Sequence, residues 1–438
     1  MKKKKCLLIF IFPLISYLAY PQSNIKHLGL EEAIAASVAS NNIIRLSALD
    51  VQIAIEKLRQ ADAFFLPQAD FSYTVVATNN PLNAFGFKLQ QGSISEADFN
   101  PKLLNNPAAT SDFSGKLELR QPLLNIGLLY MHQSAATEVE MQRYLFKRNK
   151  EYISFETEIT YLQLQMAYEQ MKVFNDALAA ANAIYNISKD YFNGGLIQKS
   201  DLLNAEVNVL NIETQLASSR FIIQDISDLL SIVMGKTIGI VYTTDTFNIV
   251  NAIITDDTFL SEDRADFKAM EKGIESCNLM IRSSRAGYLP QLNAFASYQV
   301  NSKSPIGFVA NAYFAGIQLS WNIFNGNRIK HSISEKYLEK EKISIRLDSQ
   351  KNEAQLQINK ARRQLVDASY SMKQQRLAIE QASEALRVLQ NRYSQGLAKT
   401  SDILITQTQL TQHKIGYTRA LYSYNLASVS LQFLLAGK

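Results

Sequence analysis

Glycine and proline are missing from two long stretches of the chain. Residues 128–193 and 327–395 contain neither, although the 438 residues include 17 Gly and 9 Pro. With no helix breaker, each stretch predicts an α-helix of roughly 100 Å at about 1.5 Å per residue, far longer than an ordinary globular helix. Cysteine is scarce too, with Cys6 and Cys277 the whole complement. Once a leader is removed Cys277 stands alone, which excludes an intrachain disulfide and leaves a packed small hydrophobe. Net charge is nearly absent: of 45 basic and 40 acidic residues, four basic ones are Lys2 to Lys5, and without them the balance is 41 to 40. That argues against nucleic-acid binding. No run of 18 apolar residues follows the leader, so a transmembrane helix is excluded; barrel strands, whose signal is a weaker alternation, are not. The histidines His27, His132, His331 and His413 stand in no ligand pattern, and no Ser, Cys or Asp sits in a nucleophile motif. The chain therefore reads as neither an enzyme nor a metal or cofactor protein.

What is present begins with an export signal. Lys2 to Lys5 form a basic region and Leu7 to Leu18 an apolar one, with cleavage between Ala19 and Gln22. Along the second glycine-free stretch Ile358, Leu365, Met372, Ile379, Leu386 and Tyr393 recur every seven residues, with Ala354, Ala361, Ala368 and Ala382 beside them. The first keeps the same period through Leu145, Tyr152, Ile159, Met166, Val173, Ala180 and Ile187. A strict seven-residue repeat predicts supercoiled helix packing, and the small residues let backbones approach closely.

Both stretches end alike. Gly194-Gly195-Leu196 leads to Ser200-Asp201, and Gly396-Leu397 leads to Ser401-Asp402, each equivalent pair 201 positions apart. The chain is an internal duplication. Each glycine suits a helix C-cap and each Ser-Asp an N-cap, so each rod turns back as a hairpin.

The helical segment 28–65 ends at Leu66-Pro67-Gln68, and the segment 263–288 at Leu289-Pro290-Gln291. Alternation of period two follows both. Phe71, Tyr73, Val75 and Ala77 alternate with Ser72 and Thr74, and Phe113, Leu117 and Leu119 with Ser114, Lys116, Glu118 and Arg120. In the second copy Leu292, Ala294, Ala296, Tyr298 and Val300 alternate with polar neighbours, as do Tyr313, Ala315, Ile317, Leu319 and Trp321. Tyr313 and Trp321 suit aromatic girdles at membrane interfaces, although a sandwich core uses the same residues. Residues 79–111 predict a long polar loop between the first two strands. The predicted plan is a signal peptide over 1–21; a first repeat over 22–236, with strands at about 69–79 and 112–121, long helix 128–193 and return helix 200–234; a connector over 237–260; and a second repeat over 261–438, with strands at about 291–301 and 311–322, long helix 327–395 and return helix 401–436.

Four strands cannot close a barrel, and lipid offers no hydrogen bonds to an open edge. Three chains of four strands give twelve, so the fold class predicted is an α+β membrane protein: a trimeric, twelve-stranded transmembrane β-barrel continued by long helices. The export signal, the strand pairs entered by Leu-Pro-Gln, the Trp321-Asn-Ile-Phe-Asn-Gly326 junction and the Tyr-x-x-Gly-Leu-x-x-x-Ser-Asp turn at Tyr393 to Asp402 resemble the TolC family of outer-membrane efflux and secretion channels. The resemblance covers nearly the whole mature chain. It implies a homotrimer in outer-membrane lipid with a periplasmic helical barrel, acting as the passive exit duct of a tripartite efflux or type I secretion system. It also implies a periplasmic adaptor (membrane fusion) protein docking at the helical tips, and an inner-membrane transporter behind it. A periplasmic coiled-coil adaptor without a pore is the alternative; it shares the heptads but needs no two-faced strands.

Carried over by residue, Gly194, Gly195, Leu196, Gly396 and Leu397 would be the adaptor contact. Asp402 matches an aspartate whose threefold ring lines the periplasmic entrance. Asp201 matches one that some members pair with an arginine two residues beyond the second-copy glycine. Here that position is Ala398, followed by Lys399, and the position of a second entrance aspartate is Ile405. Both departures predict a weaker gate.

Overall fold

The computed structural model describes residues 24–250 and 260–435. The export signal, residues 251–259 of the connector and Ala436 to Lys438 lie outside the described residues. In chain order the elements are β1 (Asn24–His27), α1 (Leu30–Ser40), α2 (Asn42–Asp62), β2 (Gln68–Thr78), α3 (Pro81–Gln90), α4 (Pro101–Asn105), β3 (Thr110–Leu124), α5 (Ile126–Asn193), α6 (Lys199–Val233), β4 (Ile240–Thr243), α7 (Ala265–Ala286), β5 (Gln291–Ser302), β6 (Ala310–Ser320), α8 (Arg328–Tyr393) and α9 (Thr400–Leu435). They divide between two compact units, to both of which α5, α8 and α9 contribute.

One unit holds the sheet, whose strand order β2-β3-β5-β6 is antiparallel throughout. Its register sets the faces. Ala69, Leu119, Ala296 and Ala315 lie side by side, and next to them Phe71, Leu117, Tyr298 and Tyr313. The opposite face carries Asp70, Glu118 and Ser297 in one row and Ser72, Lys116 and Gln299 in another. Glu118 bridges Lys116 at 2.9 Å and Arg120 at 2.7 Å on that face. The outer edges of β2 and β6 have no strand partner among the described residues.

The segment 79–111 departs from the predicted loop, because it contains α3 and α4. Asn80 accepts the N–H of Asn83 at 3.2 Å and Asn100 that of Lys102 at 3.0 Å, with a proline opening each helix. Asn-Pro here starts helices, since proline's fixed φ and missing N–H cost nothing in a first turn. Lys88 bridges Asp98 at 2.7 Å and, with the Ser95 amide and hydroxyl, holds that carboxyl at about 2.

In the same unit, Phe267 of α7 packs against Leu347 and Ala354 of α8. Beside it a buried ionic cluster joins three helices' worth of chain. Arg264 grips Asp266 through Nη2 at 2.7 Å and donates to the Leu434 carbonyl at 3.2 Å, while Arg148 of α5 lies 3.6 Å from Asp266 and over the Phe433 ring. Cys277 on α7 is half-buried, and burial is the main cause that pushes its thiol up.

The other unit packs Leu28, Leu164, Leu230, Met234 and Tyr242 into one cluster. β1 and β4 form a parallel pair there that the sequence reading misses, Asn24 to His27 matching Ile240 to Thr243. Tyr161 ties the pair down, its hydroxyl 3.0 Å from the Leu28 carbonyl and accepting the Asp245 amide at 3.0 Å. Burial raises that phenol to about 12. The predicted single helix over 28–65 is broken at Asn41, whose backbone is extended. Its side chain donates to the Val233 carbonyl at 2.7 Å, and a Cβ on Gly235 would stand 2.3 Å from the Ser40 carbonyl oxygen. A return helix ending there forces the break.

Most of the predicted α8 seam is buried: Ala354, Ile358, Ala361, Leu365, Ala368, Leu386 and Tyr393 are buried, whereas Met372, Ile379 and Ala382 are half-buried. On α5 the seam lies one residue beyond the predicted line. Ile153, Thr160, Ala167, Ala181 and Ser188 are buried, whereas Leu145, Tyr152 and Ile187 are exposed in the single chain.

Candidate functional site

The two tip turns are built alike. After α5 the Leu196 N–H bonds the Tyr191 carbonyl at 2.8 Å and the Gly195 N–H that of Phe192 at 3.0 Å. After α8 the Leu397 N–H bonds the Arg392 carbonyl at 2.8 Å and the Gly396 N–H that of Tyr393 at 2.9 Å. Gly195 and Gly396 take φ of 69° and 73°, the left-handed cap that glycine occupies without strain. No atom comes within 4 Å of a Cβ built on either, so a side chain there meets backbone strain and no clash. Gly194 is helical in register, bonded to the Asp190 carbonyl at 3.0 Å. Leu196 and Leu397 are 73% and 63% exposed, large apolar groups turned to solvent beside each glycine.

One tyrosine locks the hairpins together. Tyr393 is buried, and its hydroxyl lies 2.8 Å from Ser188 Oγ on α5 and 3.0 Å from Thr400 Oγ1 on α9. Tyr191 donates to the Tyr393 carbonyl at 3.1 Å, and Ile184, Leu386, Ile403 and Leu410 close the cluster. At the 201-residue offset the counterpart of Tyr393 is Phe192, which has no hydroxyl, so the latch exists in one copy only. The heptad pattern marks Tyr393 as a seam residue; its latch role needed Ser188, 205 residues away, to become visible.

Ser200-Asp201 and Ser401-Asp402 do not cap their helices. α6 begins at Lys199 with Gln198 as its N-cap, and α9 begins at Thr400. The amides of Asp201 and Asp402 bond the carbonyls of Gln198 and Lys399 at 3.0 and 3.1 Å, which puts both carboxylates at the third helical position. There they face the positive end of the helix dipole, and Asp402 Oδ1 accepts a hydrogen bond from Ser401 Oγ at 3.3 Å. The two are not brought together. Asp201 lines a cleft of about 710 Å³ with Lys399, Thr400 and Ser401, and Asp402 is outside its lining, exposed on the first turn of α9. Neither aspartate is within 4.0 Å of a cationic group among the described residues, so Lys399 does not replace the arginine bridge in this structure. Ile405 is exposed on the same helix.

At the sheet, Tyr313 is the fourth residue of β6, 84% exposed on the apolar face opposite Tyr298. Trp321 follows the last residue of β6, and its indole N–H donates to the Tyr288 carbonyl at 2.9 Å. Among the described residues no group of three His, Cys, Asp or Glu could hold a metal ion, and no helix is long and apolar enough to cross a membrane.

The family model described as outer membrane efflux protein matches residues 34–229 and 260–437, one segment in each repeat. The fold is similar to that of a membrane protein from Pseudomonas aeruginosa, with TM-score 0.81 and 18% identity over 95% of this chain and 92% of that one. It is similar to the outer membrane channel CmeC of Campylobacter jejuni, with TM-score 0.79 and 17% identity over 93% and 85% of the two chains. The outer membrane protein VceC of Vibrio cholerae gives TM-score 0.79 and 15% identity over 93% and 96%. No curated protein sequence matches the chain.

Proposed function

The chain belongs to the outer membrane efflux protein family, and from that premise we propose that its two tip turns receive a periplasmic adaptor while Asp402 lines the entrance of the duct. The protein is the outer-membrane exit duct of a tripartite efflux system: a trimer whose four strands per chain make a twelve-stranded barrel, continued by a long helical extension in the periplasm. Its sheet fits that setting in physical terms. A lipid-facing surface must be apolar and a water-filled lumen wall tolerates charge, which is how the Phe71 and Lys116 rows divide.

The observation that carries the docking proposal is the pair of left-handed turns, each presenting an exposed leucine over a glycine with open space around it. Exposed apolar side chains on a rigid turn suit a partner that buries them. Asp402 supports the entrance role because its carboxylate neither caps a helix nor pairs with a cation. Tyr313 and Trp321 are proposed to sit in the interfacial zone of the membrane, where amphipathic rings have one wet edge.

The test is export from cells carrying Gly195→Val and Gly396→Val together. A β-branched residue at φ near +70° is strained, and the expected outcome is loss of export and of adaptor cross-linking while trimers persist in the outer membrane. Undiminished export with the double variant would remove the tips from the docking site.

A further inference from the structure

Alternation along β5 and β6 breaks at two residues. The charged face of the sheet carries Arg120, Glu118, Lys116 and Asp70, yet Phe295 stands opposite Arg120 on it and Phe314 opposite Ser297. They are the only aromatic side chains on that face of the four described strands. An aromatic ring left against water forgoes the gain of burial, so two together on a polar wall need a reason. Packing supplies only part of one. The rings tilt at 35° with centroids 5.4 Å apart, and Phe314 remains 69% exposed.

The cross-strand neighbour of Phe295 on β6 is Gly316, and a Cβ there would stand 3.0 Å from Phe295 Cζ, so the absence of a side chain leaves room for the ring. Phe295 also lines a cleft of about 790 Å³, with Phe64 and Leu128 as apolar walls and Arg120, Glu118 and Gln318 among its polar groups. Arg120 gives only its Nε hydrogen to Glu118, at 2.7 Å; its terminal nitrogens take no partner among the described residues. The cleft thus combines an aromatic ring, Phe295, with a guanidinium whose two terminal donors suit a carboxylate. Its volume lies in the range of about 300–1,000 Å³ typical of sites for drug-sized molecules.

We propose that this cleft is a binding station in the wall of the duct for planar aromatic amphiphiles bearing a carboxylate, the ring stacking on Phe295 and the carboxylate meeting Arg120. It rests on the reading of the charged face as the lumen wall, and it names a cargo class for that lumen. Three copies in the trimer would give departing molecules a resting point in the barrel at the strand ends that adjoin α5.

Single-channel recording of purified full-length trimers tests it, with norfloxacin, a planar aromatic zwitterion, added from the barrel side. Wild type should show brief interruptions of current that glycine betaine, a zwitterion without a ring, does not produce. Phe295→Leu, which keeps an apolar side chain opposite Gly316, should shorten the mean interruption about fivefold with the open-channel conductance unchanged, and Arg120→Gln should shorten it likewise. An uninterrupted wild-type current, or interruptions that both variants leave unaltered, would overturn the station while leaving the duct intact. Trimers that open no channel at all would overturn both.

Discussion

Asp402 stands at the third position of α9, where its carboxylate faces the positive end of the helix without capping an amide. Three such carboxylates around one axis would attract cations from the periplasm. Ile405 supplies no second tier and Ala398 no closing bridge, so the ring is expected to hold a looser entrance than one with both features. Wild-type channels should prefer cations and be blocked by a trivalent cation from the helical side, and Asp402→Ala should lose most of both. Unchanged selectivity and block in that variant would place the constriction elsewhere. Asp266 is the opposite kind of carboxylate. Burial pushes its pKa up, but the Arg264 hydrogen bonds, the charges of Arg148 and Arg264 and the Phe267 amide outweigh burial and lower it below the ordinary 3.8. A depressed pKa contributes stability that is fully present above about pH 4 and lost as pH falls through the folded value. Asp266→Ala leaves Arg264 buried without its partner, a loss of about 3 kcal/mol. Thermal melts of the trimer should show a lowered Tm at pH 7, and the difference from wild type should narrow on acidification below pH 4. A constant difference from pH 7 to pH 3 would contradict the assignment.

At the scale of elements, the strands and the α8 seam were legible because each has a clean period, two in β2, β3, β5 and β6 and seven from Ile358 to Tyr393. The α5 seam was displaced by one residue for a physical reason. Its buried line includes Thr160 and Ser188, whose hydroxyls bond the carbonyls of Glu156 and Ile184 four residues back at 2.8 Å and so pack as small apolar groups. A sequence pattern scores them as polar and moves to the more apolar neighbouring line. β1 and β4 are four residues each and make sense only across more than two hundred residues of chain. Ser and Asp are residue types that usually cap, yet here Gln198 and Lys399 stand immediately before the first helical residues and their carbonyls accept the Asp201 and Asp402 amides. α3 and α4 belong to the same class of miss, and they carry a prediction. They fold the 79–111 segment into a structured connection between β2 and β3, expected on the cell exterior because long barrel loops lie there. An epitope inserted after Ile94, between α3 and the Ser95 to Asp98 capping turn, should be labelled on intact cells; labelling only after permeabilisation would invert that topology.

For the whole molecule, one chain cannot complete what it begins. Among the described residues edges β2 and β6 lack strand partners, the row of Phe71, Leu117, Tyr298 and Tyr313 is exposed, and the flank of α5 marked by Leu145, Tyr152 and Ile187 is uncovered. Threefold assembly answers the first demand by closing the barrel, lipid answers the second, and helices of neighbouring chains are the natural cover for the third. The most direct measurement is the ion current through detergent-purified full-length protein reconstituted into a planar lipid bilayer. The account predicts discrete steps of one uniform size from a particle of three chains. A water-soluble monomer that leaves the bilayer's resistance unchanged would contradict it.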